Sequence, residues 1–511
     1  MDTKANGSRS ANSIKNVAFG MSVRVISLLV NFVSRTFFIR FLGEACLGLN
    51  GLFTTILSLL SLAELGIGEA IAFYLYRPIS EGDHEKLKKL ISFYKFCYRI
   101  IGLIVFVVGL CLIPALPYLV NLETDTGYNL YLVYILYLSN TAITYLLFSY
   151  PQTVLTANQK QYVVSYVTIV FQIIMLASDI VVLFLSRNYV FYLIARILLA
   201  CLQNFVVFLI CKRKYPYITQ RPDERISNDE IKKMFKDVYG VFVLKLSSKL
   251  VDSTDNLFIS IFLGTIMVGY NSNYLIFTTA ASSLIVSLIF GFSASVGDYN
   301  TKHGKEDVLR LFKIIDFINF GVSFSFAIFI FSFSNNFISL LWGEEMTFSP
   351  VAVALLAFNF FLTTSLNAVF MFRQSLGVFR SARYFQLLSA LLNIGLDFAF
   401  VGKMGVTGLY LATVISNISL AVVPFIFSLF KNGFEASSKK QIVVYFGRCA
   451  YTVLFGFACY YGCHFLSNDL ISFLLRILIT LFVVVIGLLL TRIWDKQFQA
   501  CFSAFKKITK R

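Results

Sequence analysis

The chain has 511 residues, 58% of them hydrophobic and only 14% charged, with a formal net charge of +17. Soluble domains carry about 25% charged residues, so the composition excludes a soluble enzyme and describes a polytopic membrane protein. Its apolar stretches run past the roughly 20 residues a spanning helix needs, which also excludes the short strands of a membrane barrel.

Hydrophobic runs predict fourteen spans, at 14–41, 47–75, 89–113, 128–151, 161–185, 188–211, 236–263, 267–297, 309–334, 349–372, 382–401, 406–430, 442–466 and 470–492. Pro78, Pro114, Pro117 and Pro350 sit at proposed ends, where a missing N–H costs least. The polar stretch before the first span has no cleavage site, so no removable signal peptide is expected. The loops that face the side of the amino terminus hold 33 Lys and Arg, whereas the opposite loops hold only Arg187 and Lys403. That asymmetry places both termini in the cytoplasm. It also explains the positive net charge as a topology signal, suited to anionic lipid, and gives no reason to expect nucleic acid.

The nine cysteines are scattered and form no CxxC; Cys459 and Cys463 share a helix face and read as small packing residues. His84, His303 and His464 lie far apart, so no metal site is expected, and no cofactor. No GxxxxGK[ST] loop is present, which argues against pumping driven by nucleotide hydrolysis within this chain.

The most informative stretch is 241–260, VFVLKLSSKLVDSTDNLFIS. Lys245, Ser248, Lys249, Asp252, Asp255 and Asn256 fall on one face of an otherwise apolar helix. A charge at the centre of a spanning helix costs roughly 3 kcal/mol, so this face must look at protein or water. A shift of 221 residues carries the same stripe onto Arg24, Ser27, Leu28, Asn31, Ser34 and Arg35. It also pairs Gly264 with Gly43, Gly269 with Gly48, Asn271 with Asn50, Glu306 with Glu85 and Leu376 with Leu155. After a three-residue gap, a shift of 218 pairs Asp397 with Asp179 and Tyr410 with Tyr192. The chain therefore reads as two six-span halves in the same orientation, related by a pseudo-twofold axis along the membrane normal. Spans thirteen and fourteen are appended. The implied divisions are 1–211, a linker at 212–235, 236–430 and 431–511. A substrate path between the halves is expected, with alternating access by their rocking.

Arg24 and Lys245 lie about ten residues, on the order of 15 Å, along their helices, too deep to reach an interface easily. They read as a cationic lining for an anionic group such as phosphate, with mutual neutralisation as the alternative. Arg35, Lys249 and Arg196 are further candidates for that lining, and Asn31 lies on the same stripe. Among the carboxylates within spans, Glu64 (in SLAELGIGEA), Asp252 and Asp255 are the candidates for coupling to a proton or Na+ gradient; Asp179 and Asp397, near outer ends, read as structural.

The run SRTFFIRFLGEACLGLNGLFTTILSLLSLAELGIGEAI, with the span KLSSKLVDSTDNLFISIFLG, resembles polysaccharide transporters of the multidrug/oligosaccharidyl-lipid/polysaccharide (MOP) superfamily, the flippases of O-antigen and capsule repeat units. The resemblance covers essentially the whole chain. It implies an all-α fold of two six-helix lobes plus two helices, a cationic central cavity, and ion-coupled translocation of an undecaprenyl-pyrophosphate-linked oligosaccharide. The cytoplasmic (inner) membrane of a bacterium is the implied location, the polysaccharide polymerase machinery an implied partner and a monomer the implied state. Carried over to this sequence, the first-helix cation is Arg24 and the seventh-helix charges are Lys245, Lys249, Asp252 and Asp255. A peptidoglycan lipid-precursor flippase and a drug/cation antiporter of the same superfamily remain alternatives. Two extra spans and a basic stripe weigh against the antiporter, and short outer loops against a polymerase or glycosyltransferase.

Overall fold

The computed structural model describes residues 2–64, 67–121, 126–146, 150–224, 226–232, 234, 253–378, 383–463, 465–466, 469–495 and 497. Lys245, Lys249 and Asp252 fall outside the described residues. The first half comprises α1 (Asp2–Leu60), α2 (Ile67–Glu81), α3 (His84–Cys111), α4 (Leu116–Leu119), α5 (Leu130–Leu146), α6 (Tyr150–Ala157), α7 (Gln161–Ser186) and α8 (Tyr189–Lys214). Then follow α9 (253–263), α10 (Thr265–Phe290), α11 (Ser293–Lys302), α12 (Lys305–Trp342), α13 (Pro350–Thr364), α14 (Asn367–Ser375), α15 (Arg383–Ser416), α16 (Val423–Leu429), α17 (Lys439–Cys463) and α18 (Leu470–Trp494). The described residues contain no strand. The protein is an all-α, multi-pass membrane protein.

Ten candidate spans occur among the described residues, or eleven with the bent pair α5–α6. Two of these, Ser22–Leu60 and Tyr384–Phe434, contain the non-helical glycines Gly43 and Gly405, so each holds two of the expected spans. The seventh expected span is described only from residue 253 onward. Pro350 opens α13 as expected, with Ser349 accepting from Ala352 N–H at 3.3 Å. Pro78 instead lies inside α2, in its last turn.

The internal repeat is written into the backbone. Residues with positive φ recur in matched pairs: Gly43 (φ 79°) with Gly264 (φ 97°), Gln159 (φ 58°) with Gly377 (φ 73°), and Arg187 (φ 47°) with Gly405 (φ 63°). The first pair is 221 residues apart and the other two are 218 apart. The turns after α6 and α14 close with the same six-residue hydrogen bond, Lys160 N–H to Leu155 O and Val378 N–H to Arg373 O, each 2.8 Å. Leu155 is thus equivalent to Arg373, three residues before the Leu376 that an ungapped shift selects. The three-residue offset has already been taken up before this turn.

Contacts divide the chain into Met1–Gly269 and Tyr270–Arg511. The first unit includes α9 and the start of α10 because polar contacts hold them there. Asn256 donates to Thr55 Oγ1 (2.9 Å), Ser260 Oγ to Leu119 O (2.6 Å), and Thr265 N–H to Asn121 O (2.7 Å). Gly48 allows α1 to meet the first turn of α10: a Cβ there would lie 2.3 Å from Thr265 O. A Cβ on its repeat partner Gly269 would lie 2.9 Å from Gly48 N. The 212–235 segment is docked, with Ile218 and Met234 buried in the core beside α3, α6 and α8, while Lys89–Glu224 (2.8 Å) and Lys86–Glu230 (3.3 Å) tie its surface to α3. The Lys89 ammonium holds the Glu224 carboxyl below its usual range.

The second unit has an aromatic core of Phe312, Phe320, Phe324, Phe361 and Phe372, against which α17 and α18 pack. Gly487 lets α18 approach, since a Cβ there would meet the Phe324 ring at 2.8 Å. The tenth expected span breaks between α13 and α14, where Asn319 Nδ2 donates to Thr364 O (3.1 Å) and Ser365 O (2.7 Å). Freed carbonyls within an apolar core must find such donors.

Candidate functional site

The first-helix stripe divides into two sides. Ser27 accepts from Gln172 Nε2 (2.5 Å) and Ser34 Oγ donates to Asp179 Oδ2 (2.6 Å), so this side zips α1 to α7 with one register. Arg24, Asn31 and Arg35 are seven and four residues apart, which puts them within about 40° of each other on the helix and spreads them over roughly 16 Å of its length. Asn31 is exposed and both arginines are half-buried. Arg35 also donates from Nη2 to Gly269 O at 3.3 Å. An exposed amide between two guanidiniums at span depth is costly against lipid and natural against a polar ligand or water.

Arg196 is arranged differently. Its Nε and Nη2 donate to the two oxygens of buried Asp179 at 3.1 and 2.6 Å, and Nη2 also reaches Ser34 Oγ at 3.1 Å. The guanidinium stacks over Tyr192, 4.8 Å from the ring centroid. Arg196, a candidate for the cationic lining from the sequence, is here ion-paired with Asp179 inside the first unit. The equivalent position in the second half is Val414, although Asp397, the equivalent of Asp179, is completely buried. One turn from Asp397, Asn393 donates to Thr413 Oγ1 at 3.3 Å.

Glu64 ends a short 3-10 turn, Ser61–Glu64, that interrupts the second expected span. The Tyr98 hydroxyl donates to its Oε1 at 2.5 Å. Tyr94 packs edge-on against Tyr98 at 4.5 Å and shares a hydrogen with Thr153 at 2.8 Å. The carboxyl thus sits at a helix break among tyrosines. Asp255 lies half-buried on α9, one residue before the Asn256 that holds Thr55. Lys95, another cation within a span, lies over the Tyr150 ring at 5.1 Å. Among the described residues no cluster of three His, Cys, Asp or Glu has metal-site geometry.

Sequence reading missed one constellation entirely. Asp316, Arg448 and Asp495 form a buried cluster that joins α12, α17 and the residue after α18. In the sequence, Arg448 counts as a loop charge and Asp495 as part of a tail.

No family model and no curated protein sequence matches the chain. Solved structures do match in fold. Over 94% of this chain and 99% of that one, it is similar to the lipid II flippase MurJ in an inward closed conformation, with a TM-score of 0.64 and 15% identity. A multidrug resistance MATE family transporter of the MOP superfamily, in an inward-facing conformation, matches 81% of this chain and 98% of its own, with a TM-score of 0.62 and 14% identity. A MOP superfamily transporter from Pyrococcus furiosus, described by a reversed polarity of its binding pocket, matches 84% and 96%, with a TM-score of 0.54 and 15% identity. The chain has the fold of MOP superfamily transporters.

Proposed function

We propose that the protein is a flippase that moves an undecaprenyl-pyrophosphate-linked oligosaccharide repeat unit, of O-antigen, capsule or exopolysaccharide type, across the cytoplasmic membrane of a bacterium. The carrying observation is the Arg24–Asn31–Arg35 face, two half-buried guanidiniums about an exposed amide at span depth. Fixed cations there lower the barrier for a pyrophosphate entering low dielectric, because they replace the water it loses. Lys245 and Lys249 are proposed to extend this lining from the second half. Arg196, held by Asp179, is proposed to shape it by orienting α8 against α1 and α7. The fold likeness to a lipid II flippase, over 94% of this chain, is compatible with a lipid-linked substrate.

Coupling is proposed to run on a proton or Na+ gradient through Glu64, Asp255 and Asp252. Both termini are proposed to lie in the cytoplasm, which the distribution of lysine and arginine supports, and the working state is proposed as a monomer that hands its product to polymerase machinery.

The same likeness favours one second reading, a flippase for the peptidoglycan lipid precursor, whose anionic linkage suits the same cations. Complementation separates the two. Rescue of surface polysaccharide in a strain lacking its own repeat-unit flippase, with the native glycan pathway supplied, supports the first reading. Rescue only of a strain depleted of its lipid II flippase transfers the assignment to the second. Rescue of neither at confirmed membrane abundance refutes both.

A further inference from the structure

The cluster at the base of the last two helices has more negative than positive charge. Arg448 on α17 donates from Nη1 to Asp316 Oδ2 on α12 at 2.7 Å, and from Nε to Asp495 Oδ2 at 2.9 Å. Its Nη2 reaches Asp495 Oδ2 at 2.8 Å and Gln497 Oε1 at 2.9 Å. Gln441 Nε2 donates to Asp316 Oδ2 at 2.8 Å, and Gln497 Nε2 to Gln441 Oε1 at 3.1 Å. The guanidinium lies over Phe320, 4.7 Å from the ring centroid. Asp316, Arg448 and Asp495 are each at most 3% exposed. Two carboxylates thus share one guanidinium, and with both ionised the cluster carries a net negative charge in low dielectric.

No other charge on the surrounding elements balances it among the described residues. Lys313 on α12, Lys440 on α17 and Arg492 on α18 are exposed, and α13 has no titratable residue. Tyr445 on α17 directs its hydroxyl to Leu362 O at 2.8 Å, and Arg373 on α14 stacks on Phe425 at 4.6 Å. Burying an unbalanced charge is unfavourable, and a carboxylate in that situation takes up a proton instead.

We propose that the Asp316–Arg448–Asp495 cluster is a proton-binding site, that its proton resides on Asp316, and that it makes the docking of α17 and α18 on α12 sensitive to pH. Asp316 is the holder because it meets its partners through Oδ2 alone, leaving Oδ1 for the proton. Asp495 is engaged through both oxygens, which leaves neither for the proton: Oδ2 accepts from Arg448, and Oδ1 accepts from the Gln497 backbone N–H at 2.9 Å. The cluster belongs to the second unit and shares no residue with the stripe on α1, so it is independent of the transport reading.

The folded chain then binds one more proton than the unfolded chain near neutral pH, so stability falls as pH rises. Thermal unfolding of the purified full chain in detergent, from pH 5 to pH 9, tests this. Wild type should lose several degrees across the range. Asp316→Asn, which mimics the neutral acid, should fold, lose that slope and match or exceed wild type at high pH. Asp495→Asn should be destabilised at every pH. A flat wild-type profile overturns the proposal, as does an Asp316→Asn variant that keeps the wild-type slope. Failure of Asp316→Asn to fold also overturns it, because a residue that is already neutral tolerates its neutral isostere.

Discussion

Replacing Gly48 with alanine places a methyl carbon 2.3 Å from Thr265 O and 2.7 Å from the carbonyl carbon. Unstrained C–H···O contacts lie at about 3.3–3.6 Å, so the two backbones must part by roughly 1 Å. Neither atom belongs to a side chain that can rotate away. Overpacking of this kind costs about 1–3 kcal/mol, and the upper end applies to two helix backbones. Alanine's better helix propensity returns about 1 kcal/mol, leaving a net loss of about 2 kcal/mol. Gly297 is the control, a helical glycine on α11 where an added Cβ meets nothing within 4 Å and alanine should gain by its propensity alone. Thermal unfolding of both variants in detergent reads the difference. Equal stability of Gly48→Ala and wild type would show that α1 and α10 do not cross at this glycine.

Removing Arg196 leaves Asp179 buried with Ser34, so Arg196→Ala should destabilise the protein by about 3 kcal/mol, while Asp179→Asn combined with Arg196→Met recovers most of the loss in a double-mutant unfolding cycle. Arg187 is left-handed and its repeat partner Gly405 also has positive φ but with ψ −145°, a region open essentially only to glycine, so Arg187→Gly should gain about 1 kcal/mol and Gly405→Ala should lose more than that in the same assay. The Glu224 carboxyl is held down by Lys89, so its contribution to linker docking is present above the ordinary carboxylate range and is lost as pH falls through it. Limited proteolysis within 216–234 should therefore accelerate in acid, and Glu224→Gln should abolish that acceleration.

The repeat was legible because it is local: a polar stripe, two glycines at loops and their spacing are all carried by neighbouring residues. The stripe also singled out α1 as the helix of the proposed site, since a face with Arg24, Asn31 and Arg35 cannot be satisfied by lipid. Pairing across helices was not legible. Asp179 and Arg196 lie on successive helices, and nothing in either span announces that they meet. Asp316 and Arg448 are 132 residues apart. A count of basic residues per loop hides such a pair, since a cation at a helix start looks the same whether it faces water or a buried carboxylate. The linker looked like a polar tether because the apolar residues that dock it, Ile218 and Met234 buried and Tyr217 and Ile226 packed beside them, are few among many charges. The gap between the halves was placed late because Leu155 and Leu376 are identical residues, whereas the turn that fixes equivalence is a backbone hydrogen bond.

The Arg24–Asn31–Arg35 face of α1 is proposed to meet the anionic headgroup of a lipid-linked glycan, and transport itself decides that proposal. The assay is flipping of a short-chain undecaprenyl-pyrophosphate-type oligosaccharide in proteoliposomes under an imposed ion gradient, with wild type, Arg24→Ala, Arg35→Ala and Asn31→Ala at equal reconstituted amounts. Wild type should transport, and each arginine variant should lose at least about tenfold, the equivalent of about 1.4 kcal/mol of lost barrier lowering. Arginine variants that flip the lipid as fast as wild type would contradict the assignment.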